Sequence, residues 1–232
     1  SARFMTNSKT VRVKVVLDSK HDMSHMPATG QCGVDLYIYN EKLEKYIFHE
    51  VSKYDINNES YELDLFYNEK SMMRQMWINL PLYMGVKSLE IIVDDEAEIF
   101  ANPFESKERI IVYGTSITQG ACSSRPGMLY TNILSRWFNK EFINMGFSGS
   151  AMLEKEVAEE LAKLKDISML IIDAEANAGI NLTMKERLET FIKVFKEKYP
   201  NIPIILASRI PFNFDLFNEE RINLNKMYRR WL

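Results

Sequence analysis

The sequence predicts an α/β domain built on a parallel, doubly wound sheet and preceded by an antiparallel β-sandwich domain. Three observations carry that reading. Residues 11–100 hold short runs with strand-like alternation and no helical period. Asn102-Pro103-Phe104-Glu105-Ser106-Lys107 then interrupts both patterns with a proline and two charges. Beyond it, apolar strands and amphipathic helices alternate four times, which implies a parallel sheet with right-handed crossovers. The expected division is a sandwich domain over 1–104 and an α/β domain over 107–232, the second incomplete at its C-terminus.

In the first region VRVKVVL (Val11–Leu17) alternates apolar with polar, and VDLYIYN (Val34–Asn40) does so more loosely. Shorter runs follow at Lys45–His49, Tyr61–Leu65, Met72–Ile78 and Leu89–Val93, with turn residues at Asn57-Asn58 and Asp94-Asp95. The first run starts almost at the N-terminus, so strands are expected to be missing before it. In the second region Ile110–Tyr113 is an uncharged, β-branched run suited to a strand buried on both faces. Met128–Phe138 sets Leu129, Ile133, Leu134 and Trp137 on one helical stripe. Glu141–Met145 reads as a strand, and Leu153–Leu164 as a helix with Leu153, Val157, Leu161 and Leu164 facing inward. Met169–Asp173 is a buried strand. Met184–Lys198 is the clearest helix, with Met184, Leu188, Phe191, Ile192 and Phe195 in helical register. Ile202–Ala207 and Asn218–Trp231 complete the series as strand and helix.

Composition narrows the function classes. With 232 residues, 46% of them hydrophobic and 26% charged, the chain resembles an ordinary globule. A net charge of −3 argues against a nucleic-acid binder. No run approaches the roughly 18 apolar residues of a membrane span. No apolar leader opens the sequence, which fits a cytoplasmic protein or a secreted one already processed, so the compartment stays open. Two cysteines, Cys32 and Cys122, make no disulfide framework. Neither a cofactor nor a metal is expected. His21 and His25 have an H-x-x-x-H spacing, but SKHDMSHMPATG is turn-like and has no glutamate between them.

The chemistry gathers at RIIVYGTSITQG (Arg109–Gly120), where a buried strand runs into Gly114-Thr115-Ser116. Open α/β sheets place ligands at that carboxyl edge. A P-loop would need four residues between its glycines and then a lysine; here five separate Gly114 from Gly120, and Ala121 follows. The α/β-hydrolase elbow would need a glycine at Thr118. The turn resembles instead the GDSL, or SGNH, hydrolase block, with Thr115 in place of its acidic residue. The simpler alternative is a serine that caps the next turn.

Two further strand ends carry the resemblance. Asn144–Ser150 follows the second strand and Asp173–Asn177 the third. Onto the family's second and third blocks map Gly149, in a Ser-Gly turn, and Asn177. YGTSITQGACSSRPGM and INMGFSGSAM are similar to the branch that carries a β-sandwich before its hydrolase domain, a branch resembling carbohydrate acetylesterases. The resemblance implies an SGNH/flavodoxin-like sheet and a jelly-roll-like sandwich. It implies Ser116 as nucleophile, with its own N–H, the Gly149 N–H and the Asn177 amide as oxyanion donors. The expected activity is a serine esterase removing small acyl groups, acetyl foremost, from carbohydrate-like substrates. The alternative is a non-catalytic module that holds glycan or protein.

Two departures stand out. Glu175 and Ala178 flank Asn177 where the family usually reads Gly-x-Asn-Asp; Glu175 is either a solvated or ion-paired group or a charge opposing the oxyanion. The family's base is a histidine of an Asp-x-x-His pair after a fifth strand, whereas His21, His25 and His49 all fall in the sandwich region. The expectation is that the natural protein continues past Leu232; a base from elsewhere or an inactive site are the other readings. Arg125, just past the nucleophile turn, is a candidate substrate contact or a solvated charge. Cys122 is expected to be a buried thiol. Tyr37, Tyr39 and Trp77 could stack on sugars or pack in the sandwich.

Overall fold

In the computed structural model, which describes residues 1–179, 182–210, 212–213, 217–219 and 222–223, the chain divides into two units. One comprises Ser1–Ser106 together with Gly120–Lys140; the other comprises Lys107–Gln119 together with Glu141–Leu232.

Eight strands of the first unit pair in two antiparallel sheets. They are β1 (Ala2–Thr6), β2 (Thr10–Leu17), β3 (Asp35–Asn40), β4 (Lys45–Val51), β5 (Ser60–Tyr67), β6 (Arg74–Asn79), β7 (Val86–Val93) and β8 (Ile99–Ala101). The sheet orders are β4-β3-β6-β1-β8 and β5-β2-β7. Alternation along β2 decides which face is covered: Val11, Val13, Val15 and Leu17 have no exposure, while Arg12 and Lys14 between them are exposed. These side chains share one core with Phe4, Leu36, Met76 and Ile78 of the other sheet, which makes the pair of sheets a sandwich. Each such side chain contributes about 1.5–3 kcal/mol by leaving water. Sequence patterning alone did not mark β1 and β8. ARFMT and IFA are too short for a period to register, and β1 is set by its antiparallel ladders to β6 and β8. A four-residue helix, α1 (Ala28–Gln31), precedes β3.

The second unit opens with β9 (Arg109–Gly114) and the short α2 (Ser116–Gln119). The chain then contributes α3 (Tyr130–Phe138) to the first unit. It continues as β10 (Glu141–Gly146), α4 (Lys155–Leu161), β11 (Ile167–Asp173), α5 (Glu175–Ala178), α6 (Leu182–Lys198) and β12 (Ile204–Leu206). The sheet order is β10-β9-β11-β12 with every pairing parallel, so β9 is an inner strand. Ile111, Val112 and Tyr113 of β9 are accordingly fully buried. Met184, Phe191 and Phe195 of α6 join Ile111, Leu170 and Ile172 in one core.

Two helices differ from expectation. Trp137 of α3 is 75% exposed, and the buried positions are Thr131 and Ser135. The helix ends there, with Asn139 left-handed (φ 47) and the Ser135 hydroxyl donating to the Lys140 carbonyl at 2.5 Å. Leu153 is buried but not helical; its φ of 63 delays α4 to Lys155. Most of the expected helix Asn218–Trp231 lies outside the described residues.

Candidate active site

Ser116 is placed by a turn that only small residues permit. Gly114 ends β9, and a Cβ there would stand 2.1 Å from Thr118 Oγ1 and 2.7 Å from the Asp173 carbonyl oxygen. Thr115 is buried; its carbonyl accepts the Gln119 N–H at 2.9 Å and its hydroxyl the Ile117 N–H at 3.3 Å, closing α2 behind a half-buried Ser116. The Thr118 hydroxyl donates to Asp173 Oδ2 at 3.2 Å. Burial pushes the Asp173 carboxyl pKa up, and that hydrogen bond only partly opposes the shift.

The three strand ends are level. Gly146 of β10 and Asp173 of β11 both pair with Gly114. Gly146 admits α2 alongside it, because a Cβ would meet the Gln119 backbone nitrogen at 2.1 Å. The Asn144 amide donates to the Thr118 carbonyl at 2.6 Å and accepts the Gly146 N–H at 2.9 Å. Past β10, the Ser148 N–H donates to Gln119 Oε1 at 2.9 Å. Gly149 is exposed and left-handed (φ 69), with open space where a side chain would stand. Past β11, the Asn177 amide donates to the Ser150 carbonyl. Ser116, Gly149 and Asn177 thus follow three adjacent strand ends at one carboxyl edge, with hydrogen bonds joining their loops.

Glu175 is neither solvated nor aimed at solvent. It is buried, with Oε1 3.7 Å from Arg209 Nε and Oε2 accepting the Arg209 N–H at 3.1 Å. An open groove of about 520 Å³ lies between Met152–Glu156 and Glu186, Arg187 and Thr190 of α6.

The remaining candidates belong to the first unit. Arg125 lies with its guanidinium over the Phe48 ring at 3.9 Å and its Nε 3.6 Å from Asp35. Tyr37 and Trp77 are core residues, and Tyr39 meets Tyr46 edge-on at 5.3 Å. Cys122 is exposed rather than buried, on a left-handed residue (φ 60) that turns its side chain out of the unit's core. His21, His25 and His49 all lie in this unit, where Nε2 of His21 meets the Met26 carbonyl at 3.1 Å and burial lowers the pKa of His49. Among the described residues no group of three or more His, Cys, Asp or Glu is placed to hold a metal ion.

Sequence reasoning passed over Asp35. It is fully buried opposite Asn79, accepts from the Asn79 amide at 2.8 Å and from the Gly127 N–H at 2.7 Å, and has Arg125 beside it. Burial raises its pKa against those partners and Arg136. Arg136 lies over the Tyr37 ring at 3.9 Å and donates to the Gly127 carbonyl at 2.6 Å. The available signal was an aspartate inside an otherwise apolar strand.

Residues 107–232 match the model of the GDSL-like lipase/acylhydrolase family. Residues 1–99 match a model described as the N-terminus of SGNH-hydrolase-type esterases, whose short name, GxDLY, fits Gly33-Val34-Asp35-Leu36-Tyr37. No curated protein matches the chain. Among solved structures, a GDSL-like lipase from Bacteroides ovatus is 36% identical, with a TM-score of 0.85 over 97% of this chain and 65% of its own. The salicylyl-acyltransferase SsfX3 of a tetracycline biosynthetic pathway is 15% identical, with a TM-score of 0.67 over 98% of this chain and 65% of its own. A family two carbohydrate esterase from Clostridium thermocellum, solved with cellohexaose, is 10% identical, with a TM-score of 0.59 over 98% of this chain and 77% of its own. The chain therefore spans about two thirds of the length of the first two.

Proposed function

The chain belongs to the GDSL-like lipase/acylhydrolase family, and from that premise we propose that it is a serine esterase acting on carbohydrate-like esters. The acyl group removed is small, acetyl foremost. The observation that carries this reading is the level alignment of Gly114, Gly146 and Asp173, which brings the segments bearing Ser116, Gly149 and Asn177 to one edge.

Ser116 Oγ attacks the ester carbonyl carbon and gives its proton to a base. The carbonyl oxygen takes the negative charge, and the N–H groups of Ser116 and Gly149 and the Asn177 amide hold it. Collapse expels the sugar hydroxyl and leaves an acyl-serine, which water cleaves by the same steps in reverse. One Asn177 N–H is given to Ser150, which orients the amide and leaves its second N–H for the oxyanion. Gly149 suits its role because open space lies on the side where a Cβ would project. Carbohydrate esterases among the structural neighbours support the carbohydrate-like substrate class.

We place the base outside residues 1–232, in the histidine that the family carries after a fifth strand, because the sequence holds no histidine after His49. A serine needs its proton acceptor within about 2.6–3.2 Å, or one water away. A fluorophosphonate probe on the full-length protein tests the nucleophile: labelling should vanish in Ser116→Ala. Labelling that persists would move the nucleophile to another serine, such as Ser148 or Ser150. Residues 1–232 alone should hydrolyse p-nitrophenyl acetate at the Ser116→Ala background. A robust, Ser116-dependent rate abolished by substituting His21, His25 or His49 would instead put the base in the sandwich.

A further inference from the structure

The loop carrying Gly149 has an unusual backbone. Gly149 (φ 69), Ala151 (φ 62) and Leu153 (φ 63) are left-handed at alternating positions. Glycine tolerates that region, but alanine and leucine are strained in it and persist only where the surroundings over-determine the backbone. What imposes it here comes from β9 and from the loop itself. Ala151 and Leu153 are 1% and 3% exposed, packed in the core that holds Tyr113 and Phe191. The Leu153 N–H donates to the Tyr113 hydroxyl oxygen at 3.0 Å. That hydroxyl donates in turn to Glu154 Oε2 at 2.8 Å. Both Glu154 oxygens lie 3.1 Å from the Met152 N–H. The Tyr113 ring is fully buried, 4.8 Å from the Phe191 ring, so the hydroxyl has little freedom to follow the loop. Burial and the neighbouring Glu154 push the phenol pKa up, which keeps its proton in place for that bond.

The next residue of the same strand holds the other end of the loop, where the Gly114 carbonyl accepts the Phe147 N–H at 2.8 Å. Two consecutive residues of β9 therefore fix the loop at Phe147 and at Leu153, on either side of Gly149. The same strand then runs directly into Ser116. We propose that Tyr113 and Glu154 are positioning residues: through the strained loop they set the Gly149 N–H against the nucleophile. The proposal rests on the esterase reading above, since it needs Gly149 as an oxyanion donor.

Loss of such positioning weakens a donor used in the transition state and leaves ground-state binding untouched. Removing one oxyanion donor outright slows turnover by about 10²–10³, so misplacing it should cost about 10-fold or more. The full-length protein and p-nitrophenyl acetate supply the test. Tyr113→Phe and Glu154→Ala should each lower kcat about 10-fold or more with KM within about twofold, and Glu154→Gln, which can still accept from Tyr113 and Met152, should recover most of the rate. Glu154 is partly exposed, so its variants should fold even if Tyr113→Phe does not. Wild-type kcat in Glu154→Ala, a loss confined to KM, or no recovery in Glu154→Gln would overturn the proposal. Ser116→Ala measured alongside separates the two claims: hydrolysis that does not depend on Ser116 defeats the esterase reading itself.

Discussion

Asp173 illustrates at the scale of one residue how the edge is built at a cost in stability. Its carboxyl is desolvated beside the turn that carries Ser116, where Thr118 donates to it, and its folded pKa is raised. Between the usual carboxylate range and that raised value the folded chain binds more protons than the unfolded chain, so stability falls as pH rises through the window. Asn at this position would still accept the Thr118 hydroxyl and carry no charge. Asp173→Asn should therefore melt higher than wild type at pH 7, with the gain shrinking as the pH is lowered to 4. A gain that widened in acid would reverse the assigned shift. Residues at this scale were unevenly legible. Ser116, Gly149 and Asn177 could be named because the resemblance to the GDSL/SGNH blocks falls on strand ends that the hydrophobic pattern marks. Tyr113 and Glu154 could not, because a phenol in a buried strand meets a carboxylate 41 positions later, and no periodicity or motif links the two.

Among elements, the contact between α2 and β10 decides where Ser116 stands. Gly146 lets the Gln119 backbone approach so closely that any Cβ would overlap it, and backbone cannot swing aside as a side chain can. Gly146→Ala should accordingly lose fluorophosphonate labelling at Ser116 and lower the melting temperature together. Labelling at the wild-type rate would show that α2 relaxes without moving the serine. Legibility here followed length. Helix α6 runs 17 residues and announces itself by period, as does the eight-residue β2. The three-residue β8 does not, and α4 begins late because Leu153 takes a backbone conformation that no residue type of its kind advertises. In α3 the apolar stripe is not the buried face: Ile133 and Leu134 are half-buried, Trp137 is exposed, and the buried positions are Thr131 and Ser135.

For the whole molecule the informative feature is that Gly120–Lys140 belongs to the first unit although β9 and α2 before it belong to the second. Asp35 draws its Gly127 hydrogen bond and its arginine neighbours from this segment. A fragment of residues 1–104 would leave that carboxylate buried without them, and removing one partner of a buried pair costs about 3–5 kcal/mol. Trp77 is the fragment's single tryptophan and is buried, so its fluorescence reports unfolding directly. The fragment should unfold at a clearly lower urea concentration than the same unit in the intact chain; an equal midpoint would show that the segment is dispensable to it. The consequence reaches past stability to how such a gene can be recombined. A crossover in the Asn102–Lys107 connection would exchange sandwiches between relatives yet leave each new sandwich wearing the other parent's Gly127, Arg125 and Arg136. Viable chimeras should need two exchanged blocks, the sandwich and the 21-codon stretch for Gly120–Lys140, inherited together as one cassette interrupted by the segment that holds β9 and Ser116.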